Sequence, residues 1–195
     1  MKEFTAHLKI EAEFDLSGYP PLIHHIFKSQ PYHPLLQKPD LENHKRDWLI
    51  LIKEMIQYPP KNQAMAEFFH TQWTVSHHFI RELVGEDFLV MDMLWSWLPR
   101  YLGPNVQLYR GENIERLEKG FIGTAWSTNK KTAQIFASGL NAHDSGGVVL
   151  ETHASAEAII AGPSNQSIYL GEYEFTVDWR KLDLISRTQF FPPLH

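Results

Sequence analysis

The hydrophobic period of this 195-residue chain changes once, near Gly103-Pro104. Before that point apolar residues recur at helical spacing. After it, short apolar runs alternate with turns carrying Gly, Asn and Ser. A period of 3.6 places apolar side chains on one helix face, and short bounded runs of near-alternating character specify strands. The expectation is an α+β chain, with a helical lobe over 1–103 and a mainly antiparallel β-rich core over 104–195, together one compact domain.

Three helices are predicted in the first half. Over 41–58, Trp48, Ile52, Met55 and Ile56 share a face, and Pro59-Pro60 ends the run. Over 62–84, Phe69, Trp73, Ile80, Leu83 and Val84 do the same, with Gly85 as the C-terminal cap. Over 86–98, Phe88, Met91, Trp95 and Leu98 are in register before Pro99. Residues 4–10 alternate as a strand, after which Pro20, Pro21, Pro31 and Pro34 break the chain into turns. In the second half, strands are predicted over 106–110, 123–128, 147–152, 158–161, 173–177 and 182–185. Asn129 reads as the N-cap of a helix over 130–137 that Gly139 ends.

Composition narrows the class. At 43% hydrophobic and 21% charged residues, the chain can bury a core. It has no cysteine, which excludes disulfides and Cys-ligated zinc and fits a reducing compartment. No apolar stretch approaches the roughly 20 residues of a membrane span, nor does the N-terminus carry a signal-peptide core. A soluble cytoplasmic protein with no membrane partner is expected. The net charge of −5 gives no support for a broad nucleic-acid surface; Lys130-Lys131 and Arg180-Lys181 read as solvated pairs or as the lining of a small basic groove. Among eleven histidines, His70 and His77 share a helix face, but spacing fixes no third ligand beside them or beside His24-His25 and His78. No metal is expected. No Walker motif or dinucleotide fingerprint is present.

Six residues in the β-rich half carry chemistry. Arg110 ends a strand, where its planar fork suits a phosphate. Gly111 follows it and allows a flat ring close to the backbone. Ser127 and Thr128 end the next strand, where a hydroxyl can hold a carboxylate or a ribose hydroxyl. Glu172 and Glu174 enter a third, and strict alternation puts their carboxylates on one face about 7 Å apart. Like charges at that distance raise each other's pKa. Cleaving a ribosyl bond through an oxocarbenium-like transition state needs this kind of set: a cation for a diphosphate, a fixed carboxylate for the ribosyl cation, and a base for the acceptor. Taken singly, Arg110 also reads as a salt-bridge partner, Ser127-Thr128-Asn129 as a capping segment, and Glu172/Glu174 as the solvated face of an edge strand. Phe136 and Trp126 read as core.

The segments LYRG at 108–111, AWST at 125–128 with TAQIFA at 132–137 behind it, and GEYEFTV at 171–177 together resemble the three motifs of Arg-Ser-Glu class ADP-ribosyltransferases, a class of bacterial toxins and phage-encoded modifying enzymes. The resemblance covers roughly residues 105–186. It implies a split antiparallel β-sheet core and NAD⁺ bound as a consumed substrate, without a metal. It implies that Arg110 binds the NAD⁺ phosphates, that Gly111 holds the nicotinamide amide through its backbone, and that Ser127 orients the catalytic glutamate, with Thr128 and Phe136 also against NAD⁺. Glu174 would be that glutamate, and Glu172 would activate a macromolecular acceptor, RNA or protein. Where the family has a third Ser after Ser-Thr, this chain has Asn129. A toxin or phage-defence effector of this kind implies a neutralising antitoxin partner. An NAD⁺ glycohydrolase on the same fold, and a catalytically inactive partner-binding module, remain open alternatives.

Overall fold

The computed structural model describes residues 41–194. The strand expected over 4–10, the prolines up to Pro34 and His24-His25 lie outside the described residues. The chain divides into two compact units, residues 1–99 and 100–195.

In the first unit, α1 (Leu41–Gln57), α2 (Gln63–Val84) and α3 (Asp87–Trp97) follow the predicted helices to within a residue at each end. The boundaries are sharp because local chemistry sets them. Asn62 Oδ1 accepts from the Met65 N–H at 2.9 Å, and Gly85 takes the left-handed φ of 67° while its N–H bonds the Arg81 carbonyl. Arg81 then grips Asp87 with two hydrogen bonds of 3.0 and 2.7 Å, tying the end of α2 to the start of α3. Trp48, Met55, Phe69, Trp73, Leu94 and Trp97 are buried in this unit. The Trp97 indole N–H donates to the Met55 carbonyl at 2.7 Å, so this large side chain is buried with its polar handle satisfied. Phe88 departs from expectation. It is 59% exposed, because α3 buries the face carrying Val90, Met91, Met93, Leu94 and Trp97 instead. The aromatic residues suggested one face; the more numerous aliphatic ones define another.

In the second unit, six strands form one antiparallel sheet in the order β4-β5-β2-β1-β3-β6. They are β1 (Val106–Asn113), β2 (Ala125–Ser127), β3 (Gly147–Ala154), β4 (Ile159–Ala161), β5 (Glu174–Val177) and β6 (Ser186–Phe191). β1 and β3 pair along their whole length, from Val106 opposite Ala154 to Asn113 opposite Gly147. By contrast, β1 and β2 share a single residue pair, Tyr109 with Ser127. The sheet is thus two three-stranded halves, β4-β5-β2 and β1-β3-β6, that meet at one point. One face buries Leu108, Trp126, Val148, Leu150, Phe175 and Val177. The other receives α5 (Lys130–Ser138), whose Ala133 and Ala137 pack with Val149. Asn129 caps α5 as expected, its Oδ1 accepting from Lys131 N–H at 3.0 Å. Two short helices, α4 (Ile114–Glu118) and α6 (Asn165–Tyr169), were not expected, although Asn113 and Ser164 cap them.

The strand expected over 182–185 is not one. A 3-10 turn, Trp179–Lys181, is capped by Asp178, and the sixth strand forms later, at Ser186–Phe191. Leu182 and Ile185 still pack on the core, as irregular chain. The real edge strand is mostly exposed, so its sequence lacks the apolar alternation that marks a half-buried strand.

Candidate functional site

The single β1–β2 pair extends into a row of three residues, because Ser127 is also the partner of Glu174 on β5. Cross-strand neighbours project from the same face, so Tyr109, Ser127 and Glu174 line one face at the junction of the two half-sheets. Alternation assigns Arg110 to the opposite face, with Leu108 and Glu112.

Arg110 occupies the junction in an unexpected way. Its Nε donates to Glu112 Oε2 at 2.8 Å and its Nη1 to the Ala125 carbonyl at 2.6 Å. The same Glu112 Oε2 accepts from the Gly123 N–H at 2.9 Å, and Oε1 accepts from the Asn113 N–H at 3.1 Å. Side chains from β1 therefore bond the backbone entering β2, where strand pairing has all but stopped. Burial acts to raise the pKa of Glu112; the Arg110 charge and hydrogen bond, the Gly123 N–H and the Arg116 charge outweigh it, and the carboxyl is held below its ordinary value. Gly123 is needed at this point, since a Cβ there would overlap the Arg110 guanidinium. These two bonds use two of the five guanidinium N–H donors. Glu112 was missed in the sequence reading. Its signal was the Arg110-x-Glu112 spacing, which puts opposite charges side by side on one strand face.

Glu174 is half-buried at the first position of β5, and its carboxyl has no hydrogen-bond or ion-pair partner among the described residues. Burial pushes its pKa up, the Glu172 charge adds to that, and the Arg110 charge opposes it; the result is about 8. Arg110, on the other face by alternation, is thus still within electrostatic reach of Glu174. Burial also raises the pKa of Glu172.

Glu172 does not lie on the strand. β5 begins at Glu174, and Tyr173 has a left-handed φ of 47°, so the alternation argument for the pair does not hold. A turn brings the two carboxylates near each other. Ser127 grips this turn, its Oγ donating to the Glu172 carbonyl at 2.5 Å and accepting from the Asn129 N–H at 2.9 Å. The serine therefore holds the glutamate segment by its backbone carbonyl, whereas the expectation was a hydroxyl that holds a carboxylate or a ribose hydroxyl and orients the glutamate.

Gly111 packs against α5. A Cβ on it would collide with the Ala133 carbonyl, the Ala137 N–H and Phe136 Cβ, so the close approach it permits is that of α5. Its carbonyl already accepts from Asn141 Nδ2 at 2.8 Å. Phe136, half-buried on α5, meets Gly111 there. Thr128 is exposed just beyond β2. Of the expected set, Ser127, Glu172 and Glu174 come together, with Arg110 near them; Gly111 and Phe136 meet each other where α5 packs on β1, and Thr128 is exposed.

Lys130 lies 3.4 Å from Glu151 and over the Tyr109 ring, and Arg180 is bound by the fully buried Asp178. Among the described residues no group of three or more His, Cys, Asp or Glu could hold a metal ion. Burial pushes the pKa of His70 down to about 4. No helix among the described residues is long and apolar enough to cross a membrane. Comparison with protein-family models, curated proteins and solved structures gave no match to this chain.

Proposed function

We propose that the chain is a mono-ADP-ribosyltransferase that cleaves NAD⁺ and transfers ADP-ribose to a macromolecular acceptor, RNA or protein, as a toxin or phage-defence effector with a neutralising antitoxin partner. The observation that carries this reading is Glu174. A half-buried carboxylate without a partner stands in a row with Ser127, beside a second carboxylate and within the field of Arg110. Uncompensated groups of this kind are disfavoured by folding and point to chemistry. The two half-sheets joined at one residue pair support the split-sheet core that the motif resemblance implies.

In the proposed reaction the C1′–N1 bond of the nicotinamide ribose breaks. Its electron pair leaves with nicotinamide, which becomes neutral. Ionised Glu174 stabilises the positive ribose. The Arg110 donors not used by Glu112 and the Ala125 carbonyl hold the diphosphate. An acceptor lone pair forms the new bond to C1′, and the acceptor's proton passes to Glu172.

The test is transfer of labelled ADP-ribose from NAD⁺ into a lysate by wild type and by Glu174→Gln. Equal labelling by both would remove Glu174 from the mechanism. Protease or ribonuclease treatment of the labelled lysate identifies the acceptor class.

A second reading, an NAD⁺ glycohydrolase, draws on the position of Glu172 in a turn, where strand geometry does not aim it at an acceptor. Free ADP-ribose without labelled macromolecule favours it. Failure of the intact protein to bind NAD⁺ in calorimetry favours an inactive partner-binding module.

A further inference from the structure

We infer that Arg116 is a second cation for the NAD⁺ diphosphate, which takes the phosphate on the adenosine side while Arg110 takes the one on the nicotinamide side; this rests on the transferase reading above. Arg110 by itself is a poor charge match for a diphosphate. Its Nε lies 2.8 Å from Glu112 Oε2, and the buried Glu112 carboxylate is held ionised by the groups around it. That pair is close to neutral, whereas the diphosphate of NAD⁺ carries a negative charge on each phosphate. Arg116, on α4, approaches the other oxygen of the same carboxylate, with its Nε 3.7 Å from Glu112 Oε1. Two guanidinium groups thus share one carboxylate, and the cluster keeps a net positive charge.

The two arginines differ in how firmly they are engaged. Arg110 is nearly buried and bonds Glu112 and the Ala125 carbonyl at 2.8 and 2.6 Å. The Arg116 side chain is 48% exposed, and its 3.7 Å contact is longer than a hydrogen bond. An exposed ion pair this loose contributes little, so Arg116 can turn to an anion at small cost, and its planar fork suits phosphate. Lys119, the next cation along the chain, is already matched, its Nζ 2.5 Å from Glu115 Oε1. The order along the ligand follows from Glu174. The charges that act on its carboxyl are those of Glu172 and Arg110, so Arg110 is the arginine nearer the reacting ribose and Arg116 the one farther from it.

The experiment measures, in full-length protein, NAD⁺ affinity by calorimetry and the kcat and KM of NAD⁺ cleavage. In Arg116→Gln, binding about tenfold weaker is expected, the loss of one charge-assisted contact. KM rises by about the same factor and kcat stays within about twofold, because a contact remote from the breaking bond is equal in the ground and transition states. Arg116→Lys, which keeps the charge but not the fork, stays within about threefold of wild type. Lys119→Gln removes an equal charge three residues away, from a pair already matched, and keeps the wild-type affinity. Wild-type affinity in Arg116→Gln overturns the inference, as does an equal loss in Lys119→Gln or a fall in kcat as large as the rise in KM. If wild type cleaves NAD⁺ and Glu174→Gln does not, such results leave the transferase reading standing. If wild type binds no NAD⁺, both fall.

Discussion

Arg110 and Glu112, two residues apart on β1, form an ion pair in which Arg110 Nε lies 2.8 Å from Glu112 Oε2, with the side chains only 12% and 1% exposed. The pair does more than neutralise itself. Through the Ala125 carbonyl and the Gly123 N–H it links the half-sheet β1-β3-β6 to the chain entering β2, where the backbone ladder has a single residue pair. Arg110 is thus held rigidly before any ligand arrives.

Glu112→Ala leaves a nearly buried guanidinium without its counter-charge. Such breaks cost about 3–5 kcal/mol, which urea denaturation would register. The pH dependence follows from the lowered pKa of Glu112: a depressed carboxylate contributes stability above its unfolded value of 4.5 and loses it as pH falls through the folded value. Wild type is expected to lose more stability between pH 5 and pH 3 than Glu112→Gln. Equal acid sensitivity in the two proteins would count against the pair.

Gly123→Ala puts a methyl group where the guanidinium stands. Overpacking of this kind costs about 1–3 kcal/mol. It also displaces Arg110, so NAD⁺ affinity in calorimetry is expected to drop together with the melting temperature. A variant that melts lower but binds NAD⁺ as tightly as wild type would show that Arg110 does not hold the ligand.

Glu174 has the opposite sign from Glu112. Its folded pKa of about 8 lies above the unfolded 4.5, so its contribution is whole below pH 4.5 and is lost as pH rises toward 8. Glu174→Gln, which mimics the neutral form, is expected to match wild type at pH 4 and to exceed it by about 1–3 kcal/mol at pH 9, allowing for the half-exposed site. In the proposed mechanism the ionised form is the active one. The kcat/KM for NAD⁺ cleavage is expected to rise with pH to a plateau above about 8. A flat profile between pH 6 and 9 would contradict the assignment.

Gly111 and Thr128 separate packing from binding. Gly111→Ala drives a Cβ into the backbone of α5, with an expected cost of about 1–3 kcal/mol in denaturation. Thr128→Ala alters an exposed side chain and stays within about 0.5 kcal/mol of wild type. Any rise in its KM for NAD⁺ then reports contact with the ligand, whereas an unchanged KM removes Thr128 from the site.

Local chemistry explains what was legible in the sequence. The helices α1, α2, α3 and α5 were read to within a residue at each end, because their period, Asn62 and Asn129 caps and Gly85 stop are all set by residues a few positions apart. Strands were placed less well. β1 runs on to Asn113 because β3 supplies partners that far, and the exposed β6 carries no readable alternation.

The sequence by itself determined the four longer helices, the α+β class and the candidates for chemistry: Arg110, Ser127, Glu172 and Glu174. Only the tertiary structure decided what each one touches. It packed α5 against Gly111, turned Ser127 toward the Glu172 backbone, moved Glu172 off the strand, and brought in Glu112. The physical reason is range. Caps and periods act over a few residues. The bonds that define the site join positions such as Arg110 to Ala125 and Ser127 to Glu172, which come together only once the strand order β5-β2-β1 exists.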